Sequence, residues 1–216
     1  LSPKENFARA IRCPDDEINL GAAALYAASS EFPDLDVIAY QGRIAQFGTK
    51  VKTLLPADYT NFEFVNSMHE VLFGKTGFTG DSKDYFDPRN SHLNEVIDRL
   101  KGNPVTLSIF YIEVARVAGE KVRGISLRKH FVVVVGTGED RIYVDPFHGG
   151  GFLSRKECIT NILGKDNVKH GDFDDLERKY LKPASNRAIL RRQLSNLKVA
   201  HEKHKQYELA LSASER

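Results

Sequence analysis

The chain has 216 residues, 41% of them hydrophobic and 28% charged, values that fit one domain with at most a short appendage and exclude a disordered chain. A chain this long buries roughly 70% of the surface its unfolded form exposes, so its core needs no disulfide or metal staple. Thirty-one basic side chains against 29 acidic ones leave a net charge of +2, too balanced to call for a nucleic-acid or anionic-membrane partner. Taken in chain order, the first half reads as helical. Asp15 or Asp16 is placed to cap a helix running through Ala22–Tyr26. After Pro33, apolar residues recur at Val37, Tyr40, Ile44, Phe47, Val51 and Leu54, the stripe of an amphipathic helix. Phe62, Val65, Met68 and Leu72 mark a third helix, and residues 74–90 read as a long ordered loop rich in Gly, Asp and Phe.

Ser91 is placed to cap a short helix with Leu93, Val96, Ile97 and Leu100 inward and Gly102 as its end. Asn103 and Pro104 then open a helix that is apolar nearly all round to Ala118, which belongs at the centre of a domain. The texture changes after it. Residues 122–127, 130–135 and 141–144 are short β-branched runs between turn residues, and three antiparallel strands are the simplest reading. Ser154–Glu157 is a capping box, 172–180 a further helix, and after Pro183 come two more helices, the first capped by Ser185 and the second spanning 207–214. Helices first and strands afterwards predict an α+β fold.

Cys13 and Cys158 are too far apart for a readable disulfide framework or metal pattern. The longest apolar run, Phe131–Val135, falls far short of a membrane span. The opening Leu-Ser-Pro-Lys-Glu-Asn carries no signal-peptide run, and a cytoplasmic protein is expected. The absent initiator methionine and the stop at Glu215-Arg216, inside an expected helix, read as a fragment.

The chemistry centres on a strand histidine, an aspartate on the next strand, and the start of the buried helix. Such a histidine can act as general base, the aspartate can fix its tautomer, and a first-turn side chain can be the nucleophile. The candidates are His130 and Asp145, with Thr106 or Ser108 as the hydroxyl. The plainer alternative is a packed or surface His130 and an Asp145 that only ends a strand. Asp145, His148 and His170 do not make a metal site, since Asp-x-x-His across a Pro-Phe turn is not helical and no second ligand pair is evident. No metal and no other cofactor are expected. Gly149–Gly151 reads as a tight turn, and Lys198, Lys203 and Lys205 alternate with acids on a solvated face. Arg89 is expected to pair with Glu95 or Glu113.

Four segments in order carry a resemblance: Asp87-Pro88-Arg89-Asn90-Ser91-His92-Leu93-Asn94-Glu95-Val96, then Gly102–Ser108 with Tyr111–Arg116, then Lys129-His130-Phe131, then Tyr143–Gly150. Together they resemble the transglutaminase-like superfamily, in its bacterial invasion-regulator (SirB-type) branch, which also resembles part of a eukaryotic F-box protein. The resemblance covers Cys13 to Lys182. It implies a papain-like core and, in the enzymes of the superfamily, a Cys-His-Asp triad. His130 and Asp145 take the last two places. The cysteine place falls within Pro104–Ser108, nearest Thr106, and holds no cysteine. Asn94, Glu95, Asn103 and His148, which stand in the same segments, are candidate binding residues. Residues 196–211 resemble the start of a tetratricopeptide repeat, with His201 where that pattern prefers tyrosine.

The resulting expectation is a transglutaminase-like domain over 1–182, helical over 1–100 with its core at 101–182, and an incomplete repeat-like tail over 183–216. Its function is expected to be a non-catalytic regulator or scaffold that binds another protein or peptide. The alternative is a hydrolase or acyltransferase using Thr106 or Ser108 with His130 and Asp145, because a hydroxyl, unlike a thiol, needs full general-base help.

Overall fold

Asn103 and Pro104 start the helix around which the other elements are arranged. In the computed structural model, which describes residues 1–164 and 173–216, the Asn103 side chain accepts from the backbone N–H groups of Val105 and Thr106, each at 3.0 Å. Pro104 occupies the first turn, where its missing N–H costs nothing. The helix runs Pro104–Ala118, and all of it except Arg116 and Val117 is buried. We number it α6. It is preceded by α1 (Pro3–Ala10), α2 (Leu20–Ala28), α3 (Val37–Leu54), α4 (Asn61–His69) and α5 (Leu93–Arg99). A wide π-type turn over Glu70–Lys75 extends α4. Two-residue strands β1 (Thr79–Gly80) and β2 (Lys101–Gly102) pair in parallel.

The chain then forms an antiparallel meander of β3 (Arg123–Ser126), β4 (Phe131–Val135), β5 (Ile142–Asp145) and β6 (Gly151–Leu153), in spatial order β3-β4-β5-β6. Every residue of β4 is buried, and the period of two along a strand divides them. Phe131, Val133 and Val135 join the main core with α6, whereas Val132 and Val134 join a second core with Tyr143, Cys158 and Ile159. That second core is closed by α7 (Arg155–Leu163) and α8 (Phe173–Tyr180). The sheet therefore carries helices on both faces. Last come α9 (Asn186–Lys203) and α10 (Tyr207–Ser214), a helical pair whose first member sends Ile189, Leu190 and Leu194 into the main core.

The mixed helix-and-sheet class agrees with the sequence. Several local details differ. Asp15–Glu17 is a separate 3₁₀ turn, and α2 is capped by Asn19, whose Oδ1 accepts from the Ala22 N–H at 2.8 Å. Asp15 instead reaches across to α9, accepting from the N–H groups of Asn186 (2.8 Å) and Arg187 (3.0 Å). The short helix α5 is entered from His92, not capped by Ser91, and stops at Leu100, whose φ of 58° is left-handed; Gly102 belongs to β2. The loop before it holds β1 and a 3₁₀ turn over Pro88–Ser91. A fourth strand, β6, joins the three expected. Arg89 pairs with Asp87, two residues before it at the cap of the turn, rather than with Glu95 or Glu113. Asp172 and His170 lie outside the described residues.

Candidate functional site

Asp145 is the last residue of β5, and its side chain folds back over the 3₁₀ turn Pro146–His148 that follows. Oδ1 accepts from the backbone N–H groups of Phe147 (3.0 Å) and His148 (3.3 Å). Oδ2 lies 2.6 Å from His130 Nε2 and 2.7 Å from His148 Nδ1. One buried carboxylate thus receives four donors. Burial acts to raise its pKa, but the two imidazoles outweigh it and hold the Asp145 carboxyl below the usual carboxylate range. His130 lies at the entrance of β4, one strand over.

Two glycines make this corner possible. Gly149 closes the turn at φ +66°, a left-handed conformation that keeps His148 beside Asp145. Gly80 lets β1 lie directly on the Phe147 ring: a Cβ there would come within 2.4 Å of it. Phe147 in turn stands edge-on to His130 (centroids 5.9 Å) and to Tyr85 (6.0 Å), and Tyr85 meets Phe86 at 5.3 Å. Tyr85 and Phe86 are each about 40% exposed. With His148, which is largely exposed, they form an aromatic rim around the His130–Asp145 pair.

With Asp145 accepting from Nε2–H, the free lone pair of a neutral His130 is on Nδ1, the arrangement of a base held by its orienter. Neither hydroxyl expected to serve it is bonded to it. Thr106 is fully buried, and its Oγ1 donates to its own cap, Asn103 Oδ1, at 3.2 Å. Ser108 is fully buried and its Oγ has no hydrogen-bond partner. Among the described residues, no hydroxyl or thiol bonds to His130. Asn103 is a cap throughout: its Nδ2 donates to Ser91 Oγ at 2.8 Å. Asn94 and Glu95, on α5, line a separate hollow of about 530 Å³ together with Glu31, Asp34, Asp36 and Asp98. The structure therefore brings His130, Asp145 and His148 together and sets Asn94 and Glu95 apart from them.

Residues 38–195 match the family model described as the transglutaminase-like superfamily. The chain belongs to that superfamily. It is similar to a UPF0162 protein of Xylella fastidiosa (strain 9a5c), 31% identical over 94% of this chain and 72% of the relative. A UPF0162 protein of Vibrio cholerae is 30% identical over 67% of this chain and 52% of its own length. F-box only protein 21 of Homo sapiens is 29% identical over 44% of this chain and 17% of that protein. No solved structure matches.

Neither cysteine has the setting of a superfamily nucleophile. Cys13 is half-buried beyond the end of α1. Cys158 is buried on α7 in the second core, and burial, with the Glu157, Asp145 and Glu177 charges, pushes its thiol up to about 12, the opposite of an activated thiolate. The sequence reading missed Tyr85 and Phe86. Their only signal was an adjacent aromatic pair in a Gly- and Asp-rich loop, just ahead of the Asp87 segment.

Proposed function

We propose that this protein is a non-catalytic member of the superfamily, a regulator or scaffold of the SirB-type branch, that holds another protein or peptide at the aromatic rim over its retained His130–Asp145 pair. One observation carries the reading: the hydroxyl nearest the superfamily's cysteine place, that of Thr106, is sealed in the core and spent on its own helix cap. A papain-like core fits the packing of α6 against β4 and the 146–148 turn. Without a nucleophile, the hydrogen bond between His130 and Asp145 braces β4 against the turn that carries buried Phe147 and exposed His148. Aromatic side chains that are partly exposed and rigidly backed are the residues most used at protein-binding surfaces. The tail, α9 and α10, is read as repeat-like, and a single such unit must lean on other helices to bury its apolar face.

The rival hydrolase or acyltransferase reading has one observation in its favour. Ser108 Oγ is an unpartnered hydroxyl, and a shift of α6 that turned it towards His130 would supply a nucleophile. A photo-crosslinking side chain installed at position 86 in the intact protein tests the binding reading. A discrete adduct that is absent when the same group is installed at exposed Lys52 is expected. Equal adducts at both positions, or none at 86, would remove the rim as a binding surface.

A further inference from the structure

A second cluster lies away from the His130–Asp145 corner, and the family resemblance, although His92 stands in one of its segments, assigns it no role. Glu31 follows α2, His92 precedes α5, and His201 sits near the end of α9. The fold brings them together from three distant parts of the chain. Both histidine side chains are at least 97% buried, and Glu31 is 14% exposed. His201 Nε2 lies 3.2 Å from Glu31 Oε1, and His92 Nε2 lies 3.2 Å from Glu31 Oε2. One nitrogen from each ring and a carboxylate oxygen all fall within 4.8 Å of one another.

We propose that Glu31, His92 and His201 form a binding site for a divalent transition-metal ion, of which zinc is the model, with the fourth position open to solvent.

Three features favour a metal over a proton. The separations come first. Ligand atoms about 2.0–2.1 Å from a tetrahedral zinc stand about 3.3 Å apart, close to the 3.2 Å from His201 Nε2 to Glu31 Oε1 and from His92 Nε2 to the other carboxylate oxygen, Oε2. Charge-assisted N–H to carboxylate bonds are shorter, about 2.7–2.9 Å, and the His130–Asp145–His148 corner shows such short contacts, at 2.6 and 2.7 Å. The second feature is His92 Nε2, which is buried and makes no hydrogen bond despite the nearby carboxylate. A buried nitrogen left so is costly, and a metal ion satisfies it. The third is the other nitrogen of His201: Nδ1–H donates to Gln206 Oε1 at 2.8 Å. That bond leaves Nε2, which is in hydrogen-bond contact with Glu31 Oε1 at 3.2 Å, as the nitrogen a metal ion would take over, the outer-shell arrangement of a metal-bound histidine.

An approach route exists on the Glu31 side. Glu31 borders the hollow lined by Asp34, Asp36, Asn94, Glu95 and Asp98. These carboxylates concentrate cations at the entrance, and Asn94, whose Oδ1 is buried and without a hydrogen-bond partner, lines the same hollow. Arg216, which donates to the Ala27 carbonyl, places a positive charge near Glu31 and His201 that works against a cation there. A bound ion would tie α9 to the segments flanking α2 and α5, so metal binding and docking of the C-terminal helices are linked.

The test is titration of the metal-stripped full chain with Zn²⁺, and with Co²⁺ as a visible-absorbing substitute. One equivalent is expected to bind and raise Tm. Glu31→Gln and His92→Phe should each weaken Zn²⁺ at least about tenfold, Gln206→Ala should weaken it less, and His148→Ala should leave it unchanged. Histidine ¹⁵N spectra of the wild-type chain give an answer independent of whether the variants fold: Zn²⁺ should move the Nε2 signals of His92 and His201 together. No Zn²⁺ binding, or binding whose signals fall on His130 and His148, overturns the site.

Discussion

Asp145 accepts four hydrogen bonds with two oxygens, and that saturation is what an amide cannot copy. Asp145→Asn puts an NH₂ where an acceptor is needed and leaves buried donors unpaired. A loss of about 1–3 kcal/mol is expected in urea unfolding, with the His130 ring losing its fixed tautomer in ¹⁵N spectra. Unchanged stability would mean that the carboxylate braces nothing. Asn103→Ala removes the cap of α6 together with the bond to Ser91; a destabilisation of about 1–2 kcal/mol is expected from the same measurement. At this scale His130 and Asp145 were legible because a β-branched run and an Asp-Pro turn announce strand ends. The fate of Thr106 was not. Whether a first-turn hydroxyl faces a cleft or its own cap is decided by rotamer and packing, which a sequence does not display. His92 and His201 were equally hidden, since the only thing joining them is a fold that closes over more than a hundred residues.

Elements were read best where local signals agreed. The three-and-four spacing of α3, the Asn103-Pro104 start of α6 and the Ser154–Glu157 box of α7 all appear where the sequence places them. The failures share a cause. Asp15 looked like the cap of the next helix and proved to serve α9, 171 positions away, because a side chain caps whichever N–H groups the fold brings to it. β6 is three residues long and opens with glycine, too short for any alternation to show. The contact of β1 with the 146–148 turn makes a prediction at the same scale. Gly80→Ala drives a methyl into the Phe147 ring, whose nearest atom would be 2.4 Å away, so the ring or the strand must move. A cost of about 1–3 kcal/mol and a loss of crosslinking at position 86 are expected. A stability within error of wild type would show that the ring gives way freely.

Across the whole molecule, no helix among the described residues is long and apolar enough to cross a membrane, and the tail is not an independent appendage. Ile189, Leu190 and Leu194 of α9 belong to the main core, so cutting the chain after Lys182 exposes apolar surface on α2 and α6. The 1–182 fragment is expected to lose the cooperative thermal transition that the full chain shows; a sharp transition in the fragment would contradict this. On the opposite side, Glu177 ties α8 to the sheet and α7. It accepts from Tyr143 Oη at 2.8 Å and from Arg141 and Arg155 at 2.5 and 2.8 Å. Burial acts to raise its pKa, but Arg155, Tyr143 and Arg141 outweigh it and lower the carboxyl below its ordinary 4.5. The stability it supplies is therefore complete above about pH 4.5 and fades as the pH falls through the lowered folded value. The Tm difference between wild type and Glu177→Gln should shrink over that acid range and stay flat above it. A difference that grows on acidification would reverse the sign assigned here.

The central claim is that a base–orienter pair survives here without a nucleophile, and intact-mass spectrometry of the chain after exposure to an activated acetyl ester tests it most directly. The mass is expected to stay unchanged at Thr106 and Ser108, with any slow surface acetylation identical in wild type and His130→Ala. A chain heavier by one acetyl group, with the label on Thr106 or Ser108 and absent in His130→Ala, would contradict the account and establish the hydroxyl–His130–Asp145 set as a working acyl-transfer site.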